Sequence, residues 1–132
     1  MSRGFLVFVG LVFIGYGIAC ALDPELAARL AGLNVVNGDG YAELGAMYGG
    51  LQTGVGVFCV LAGASANHRR SGLLMLALAI GCLAILRGTS AMRTEDLVSN
   101  YTWAALAFET AVTVIAAALL MRGGTAVEAW RS

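Results

Sequence analysis

The sequence predicts an all-α integral membrane protein, a four-helix bundle with a short interfacial helix between its first and second spans. Two observations carry this. Of 132 residues, 59% are hydrophobic and only 12% are charged, about half the charged share of a soluble domain. The apolar residues also fall in four runs, about 5–22, 41–64, 73–91 and 101–121, each near the ~20 residues that a helix needs to cross a bilayer. The short connections leave room for one domain, 1–132, with little of it outside the bilayer.

The first run follows Arg3 and ends near Ala19-Cys20-Ala21, which resembles a secretory signal with a small-residue cleavage site; it is read here as the first span. Asp23-Pro24-Glu25 then begins a new helix, because Asp caps helix starts, Pro suits the first helical position and Glu favours the positive end of the helix dipole. Leu26, Leu30 and Leu33 share one face of that segment, as expected of a helix lying on the membrane surface. Asn37-Gly38-Asp39-Gly40 is a turn, with Asp39 placed to cap the second span.

The second span is dense in glycine. Gly45/Gly49 and Gly50/Gly54 are small-xxx-small pairs, which let helix backbones approach closely, either inside the bundle or between copies. Tyr41, Tyr101, Trp103 and Trp130 stand near span ends, where amphipathic rings anchor at the interface.

Charge is segregated although the net charge is zero. Arg3, His68, Arg69, Arg70, Arg122 and Arg131 flank one side of the spans, while Asp23, Glu25, Asp39, Glu95 and Asp96 dominate the other. The positive-inside rule then places both termini in the cytoplasm, and basic residues that are all arginine suit a GC-rich bacterial genome and hence a bacterial inner membrane. Cys20, Cys59 and Cys82 fall at different depths, too far apart for a disulfide, and lack the spacing of a zinc or iron–sulfur site.

Three charges lie inside the apolar runs: Glu43, Arg87 and Glu109. Glu43 is expected at the interface, Arg87 about 6 Å and Glu109 about 13 Å below the same surface. A charge in hydrocarbon is costly and is kept with a partner or a task, and the guanidinium fork suits a carboxylate. Thr102, Glu109 and Thr113 share a stripe on the fourth span. Tyr16, Tyr48 and Gln52 add polar groups at neighbouring depths.

Three functions fit this centre. In the first, Arg87 clamps the carboxylates and the protein is an accessory or structural subunit, within a larger membrane complex or a homo-oligomer. In the second, the centre binds or carries a lipophilic or amphipathic small molecule or lipid. The third is a redox-associated subunit. No Ser/His/Asp set, metal-ligand cluster or nucleophile elbow points to catalysis, no basic surface points to nucleic acid, and no cofactor is specified.

The stretch Glu43-Leu44-Gly45-Ala46-Met47-Tyr48-Gly49-Gly50-Leu51-Gln52 resembles the acidic-x-x-x-x-Tyr-Gly-Gly-Leu signature of a small bacterial membrane family, the domain of unknown function 4345 family. Leu86-Arg87-Gly88 and Glu109 fit the same pattern, and the resemblance covers the chain from Phe5 to about Met121. More distantly, the four-span plan is similar to DoxX-like proteins, some of which associate with quinone-linked oxidoreductases. The resemblance implies the four-span fold and the residue set, and no agreed activity.

Overall fold

Four long apolar helices account for most of the chain in a computed structural model, which describes residues 1–128 and, within the last helix, side chains through Arg122. Trp130 and Arg131, expected as an anchor and a topology charge, lie outside the described residues. The helices are α1 (Ser2–Leu22), α2 (Pro24–Ala31), α3 (Gly38–Ala64), α4 (Ala66–Arg93) and α5 (Asn100–Glu128). No strand occurs among the described residues. The all-α expectation is met, and α1, α3, α4 and α5 are long and apolar enough to cross a membrane. Helices α3, α4 and α5 run past the expected apolar limits, because a helix continues into the polar interface while its backbone hydrogen bonds remain better made than broken.

Contacts divide the chain into two compact units, Arg3–Ala66 and Asn67 onward. In the first, α1 and α3 are antiparallel and touch through glycine. A methyl group on Gly10 would lie 2.7 Å from the Gly56 carbonyl oxygen, and one on Gly56 would lie 2.6 Å from the Gly10 carbonyl oxygen. One on Gly17 would lie 2.6 Å from the backbone nitrogen of Thr53, and one on Gly49 would lie 3.0 Å from the Ala21 Cα. Toward the N-terminus, Gly63 fits against Val7 and the Arg3 carbonyl. Gly10 and Gly17, and Gly49, Gly56 and Gly63, repeat every seven residues, which keeps the contact on one face of each helix. Without side chains between them, the backbones gain van der Waals contact that lipid cannot supply.

This corrects the four-residue pattern expected from the sequence. Gly49 belongs to the α1/α3 seam, but Gly54 faces open space, Gly50 approaches only its own helix, and Gly45 makes an ordinary contact with Pro24. The reason lies inside α3, where Gly45–Leu51 is π-helical. A π segment bonds i to i+5 and so shifts the phase of everything after it. The Gly49 carbonyl accepts the Gln52 backbone N–H and, at 2.8 Å, the Thr53 hydroxyl. A second π segment occupies Leu76–Ile80 of α4.

Helix α2 closes the end of the first unit. Pro24, Ala27 and Ala28 are buried, and the two alanines cluster with Cys20 and Leu44. Leu30 and Leu33 remain outside, 40% and 48% exposed, as expected of an interfacial helix. Asp23 is the residue before α2 but makes no side-chain cap; its carboxylate pairs with Arg29, which also lies 3.8 Å from Glu25. The hydrogen bond to Asp23, helped by both negative charges, raises the Arg29 pKa above its ordinary value despite a smaller opposing desolvation. Gly32 ends the helix at φ 70°, a left-handed conformation that glycine adopts without strain. The cap of α3 is Asn37, whose side chain accepts the Gly40 N–H at 3.0 Å, and not the expected Asp39.

In the second unit α4 and α5 form an antiparallel hairpin joined by residues 94–99. Leu73, Leu76, Ile80 and Ala84 of α4 and Val112 and Ala116 of α5 are buried. Gly81 meets Thr113, where an added methyl would lie 3.1 Å from Cγ2, and Gly88 meets Leu106 at an ordinary 3.5 Å.

Candidate functional site

Between those two glycine contacts the hairpin holds an ion pair, Arg87–Glu109. Arg87 stands about two turns before the end of α4, and Glu109 about two and a half turns after the start of α5. The antiparallel register brings them level. The Arg87 Nε donates to Glu109 Oε2 at 2.9 Å and to Oε1 at 3.1 Å, and Nη2 donates to Oε1 at 2.8 Å. The planar fork thus engages both carboxylate oxygens, the strongest geometry available to this pair.

Burial is unequal. The Glu109 side chain is 7% exposed and that of Arg87 25%. Glu109 is deep because it lies on the stripe of α5 that continues through Val112 and Ala116 into the hairpin core, whereas Arg87 reaches it from α4 with a quarter of its side chain exposed. One turn further along α5, the Thr113 hydroxyl donates to the Glu109 backbone carbonyl at 2.8 Å. That bond satisfies the hydroxyl within its own helix and leaves its methyl for Gly81.

The other residues expected at a polar centre are placed separately. Glu43 is exposed on α3 and has no ion-pair partner among the described residues of its own unit. Tyr16 and Tyr48 are half-buried against the cluster of Cys20, Ala27, Ala28 and Leu44, where their rings do packing work in the first unit. Gln52 is half-buried where the π segment gives way to α-helix, and Thr102 is half-buried in the first turn of α5. Cys20 and Cys59 are fully buried, and Cys82 is the exposed thiol. Cys20 is covered because α2 folds back over the end of α1.

Chemically, the Arg87–Glu109 pair is neutral as a whole and its hydrogen-bonding groups face each other. No buried side-chain nitrogen or oxygen among the described residues lacks a partner. No three His, Cys, Asp or Glu residues come together there in a way that would hold a metal ion. Sequence reasoning found both members of the pair from their position in apolar runs. It missed Gly10, Gly17, Gly56 and Gly63 as the closest helix contact, although their seven-residue spacing was available.

No curated protein and no solved structure matches the chain. A family model described as "Domain of unknown function (DUF4345)" matches residues 1–120, which takes in α1 to α4, the Tyr48-Gly49-Gly50 segment, Arg87 and Glu109. The chain therefore belongs to the DUF4345 family.

Proposed function

We propose that this protein is an accessory or structural subunit of a bacterial inner membrane, with both termini cytoplasmic and no chemistry of its own. The observation that carries this reading is the closure of the Arg87–Glu109 fork, in which Nε and Nη2 reach both carboxylate oxygens at 2.8–3.1 Å. A carboxylate matched on both oxygens by this fork has little capacity left to hold a substrate or relay a proton, and the pair fixes one register of α4 against α5. Buried ion pairs are best attested in such a register-setting role. The even number of spans and the arginines flanking residues 1–5, 66–72 and the end of α5 support the orientation.

Mild solubilisation of native membranes followed by native mass spectrometry tests the role. The expected result is an assembly whose mass exceeds that of the chain and is not explained by copies of it. A homogeneous monomer that carries a stoichiometric small molecule at every detergent strength would replace this reading with the second one, a binding protein or carrier for an amphipathic compound. That second reading is favoured by one observation, an open apolar groove on the surface of the α4/α5 hairpin.

A further inference from the structure

Helix α2 has a possible hinge at either end. Asp23, between α1 and α2, has φ −140° and ψ 86°, outside any helical conformation, and Gly32 turns left-handed at φ 70°. The ion pair Asp23–Arg29 lies within this segment and would move with it. What holds α2 down is therefore apolar. Its Ala27 and Ala28 cluster with Cys20 of α1 and Leu44 of α3, with Leu26 packed beside them. Two alanines and a leucine are a light attachment for a whole helix.

Leu44 decides whether that attachment forms, because among the described residues of 38–44 it alone is buried. Its place depends on the π segment that follows. Leu44 and Gly56 are twelve residues apart, yet both meet α1: Leu44 clusters with Cys20, and Gly56 fits against Gly10. Twelve residues of regular α-helix would set them about 120° apart, on different faces. A π turn takes up one residue more than an α turn, which brings the difference down to about 20°. The π segment is what lets one helix present both residues to α1.

In a regular α register, Gly45 would take the angular place that Leu44 holds now, because it precedes Gly56 by eleven residues. Glycine needs no more room than Leu44 already occupies, so this register clashes with nothing at the seat. It has no side chain to meet α2, however, and the attachment is lost. Gly45, Gly49 and Gly50 all lie in the segment, and glycine commits a backbone least to one helical form. Residues 33–36 form no helix and supply the slack for the first turns of α3 to rotate. We propose that α2 is a lid over Cys20 and that the register of α3 works it: the π register inserts Leu44 and shuts the lid, and the α register withdraws Leu44 and releases it. Helix register shifts belong to the ordinary repertoire of conformational switching. The device lies within the first unit and is independent of any accessory role.

The test is the rate at which a lipid-soluble maleimide labels Cys20 in the full-length protein. Cys59, fully buried in the same unit, is the internal control. Labelling of Cys20 follows the population of the open lid. Leu44→Ala should speed it about tenfold, the equivalent of about 1.4 kcal/mol, and leave Cys59 protected. Adding Gly45→Leu to that variant should return Cys20 to near the parent rate, since a regular helix then seats a leucine under α2. Deleting Ala46, an exposed residue of the π segment, removes the extra residue and keeps Leu44 in phase, so Cys20 should stay protected. This deletion decides the matter if Leu44→Ala does not fold by circular dichroism. Leu44→Ala without effect on Cys20 would overturn the lid, and a double variant as reactive as Leu44→Ala would overturn its coupling to the register. Cys20 and Cys59 rising together would mean a general loosening of the unit and would also overturn the proposal. So would a folded Ala46 deletion in which Cys20 alone is labelled.

Discussion

The two helix pairs solve the same problem in opposite ways. Each must hold antiparallel helices together where lipid is as apolar as the side chains, so burial of hydrocarbon offers little net drive. The α1/α3 pair removes side chains and lets backbones touch at Gly10/Gly56 and Gly17/Thr53. The α4/α5 pair keeps one costly polar contact, Arg87–Glu109, and beside it an open apolar groove lined by residues of both helices. The first solution is tight and spread along the helix; the second concentrates at one level. Their failure modes should differ accordingly.

The largest effect is expected in the second pair. Arg87→Leu leaves Glu109, 7% exposed, without its cation, and removing one member of a buried pair costs about 3–5 kcal/mol. Thermal melting of the detergent-solubilised protein should show this as a large fall in Tm. A melt unchanged from the parent would mean that the fork contributes nothing to the hairpin.

Next comes the glycine seam. Gly56→Ala places a methyl 2.6 Å from the Gly10 carbonyl oxygen, an overpacking that costs about 1–3 kcal/mol. Gly54→Ala, two residues away with nothing within 4 Å, should instead gain about 0.5–1 kcal/mol because alanine is the better helix residue. Equal effects at the two sites would remove the asymmetry on which the seam is argued.

Glu43 sharpens the comparison from the other side. Exposed and without an ion-pair partner in its own unit, it should tolerate Glu43→Gln within about 0.5 kcal/mol, as surface substitutions do. A loss as large as that of Arg87→Leu would tie Glu43 to the Arg87–Glu109 pair, and a double-mutant cycle with Arg87 would measure the coupling.

The smallest perturbation is a label. A lipid-soluble maleimide should modify Cys82, which is exposed, and spare Cys20 and Cys59, which are both fully buried. Peptide mass mapping before and after mild heating checks the order. Early modification of Cys20 would mean that α2 does not cover the end of α1.

Much of this was legible from residues alone. The four apolar runs gave the helices, and Arg87 and Glu109 were visible because a charge inside such a run needs an explanation. The glycine seam was harder to read because eighteen glycines offer both four- and seven-residue spacings. Which set faces the partner depends on helix phase, and the π segment at Gly45–Leu51 resets that phase without a compositional signal. Asn37 and Asp39 were both competent caps, and only the path of the chain into α3 selects Asn37. Likewise, the burial of Cys20 depends on α2 folding back, a tertiary event that no local pattern encodes.

The π segment of α3 also bears on how this chain can change length. Upstream of it, Leu44 faces the cluster under α2; downstream, Gly56 and Gly63 face α1. Deleting one residue between Gly45 and Leu51 would let the helix relax to regular α geometry with little change of phase, whereas deleting one from the regular helix between Leu51 and Gly56 would rotate one half against the other by ~100°. Either the cap under α2 or the glycine seam would then turn away from its partner. Insertions and deletions should therefore be tolerated at residues 94–99, where the chain only reverses direction, and rejected in the regular helix between Leu51 and Gly56, whose composition alone looks permissive.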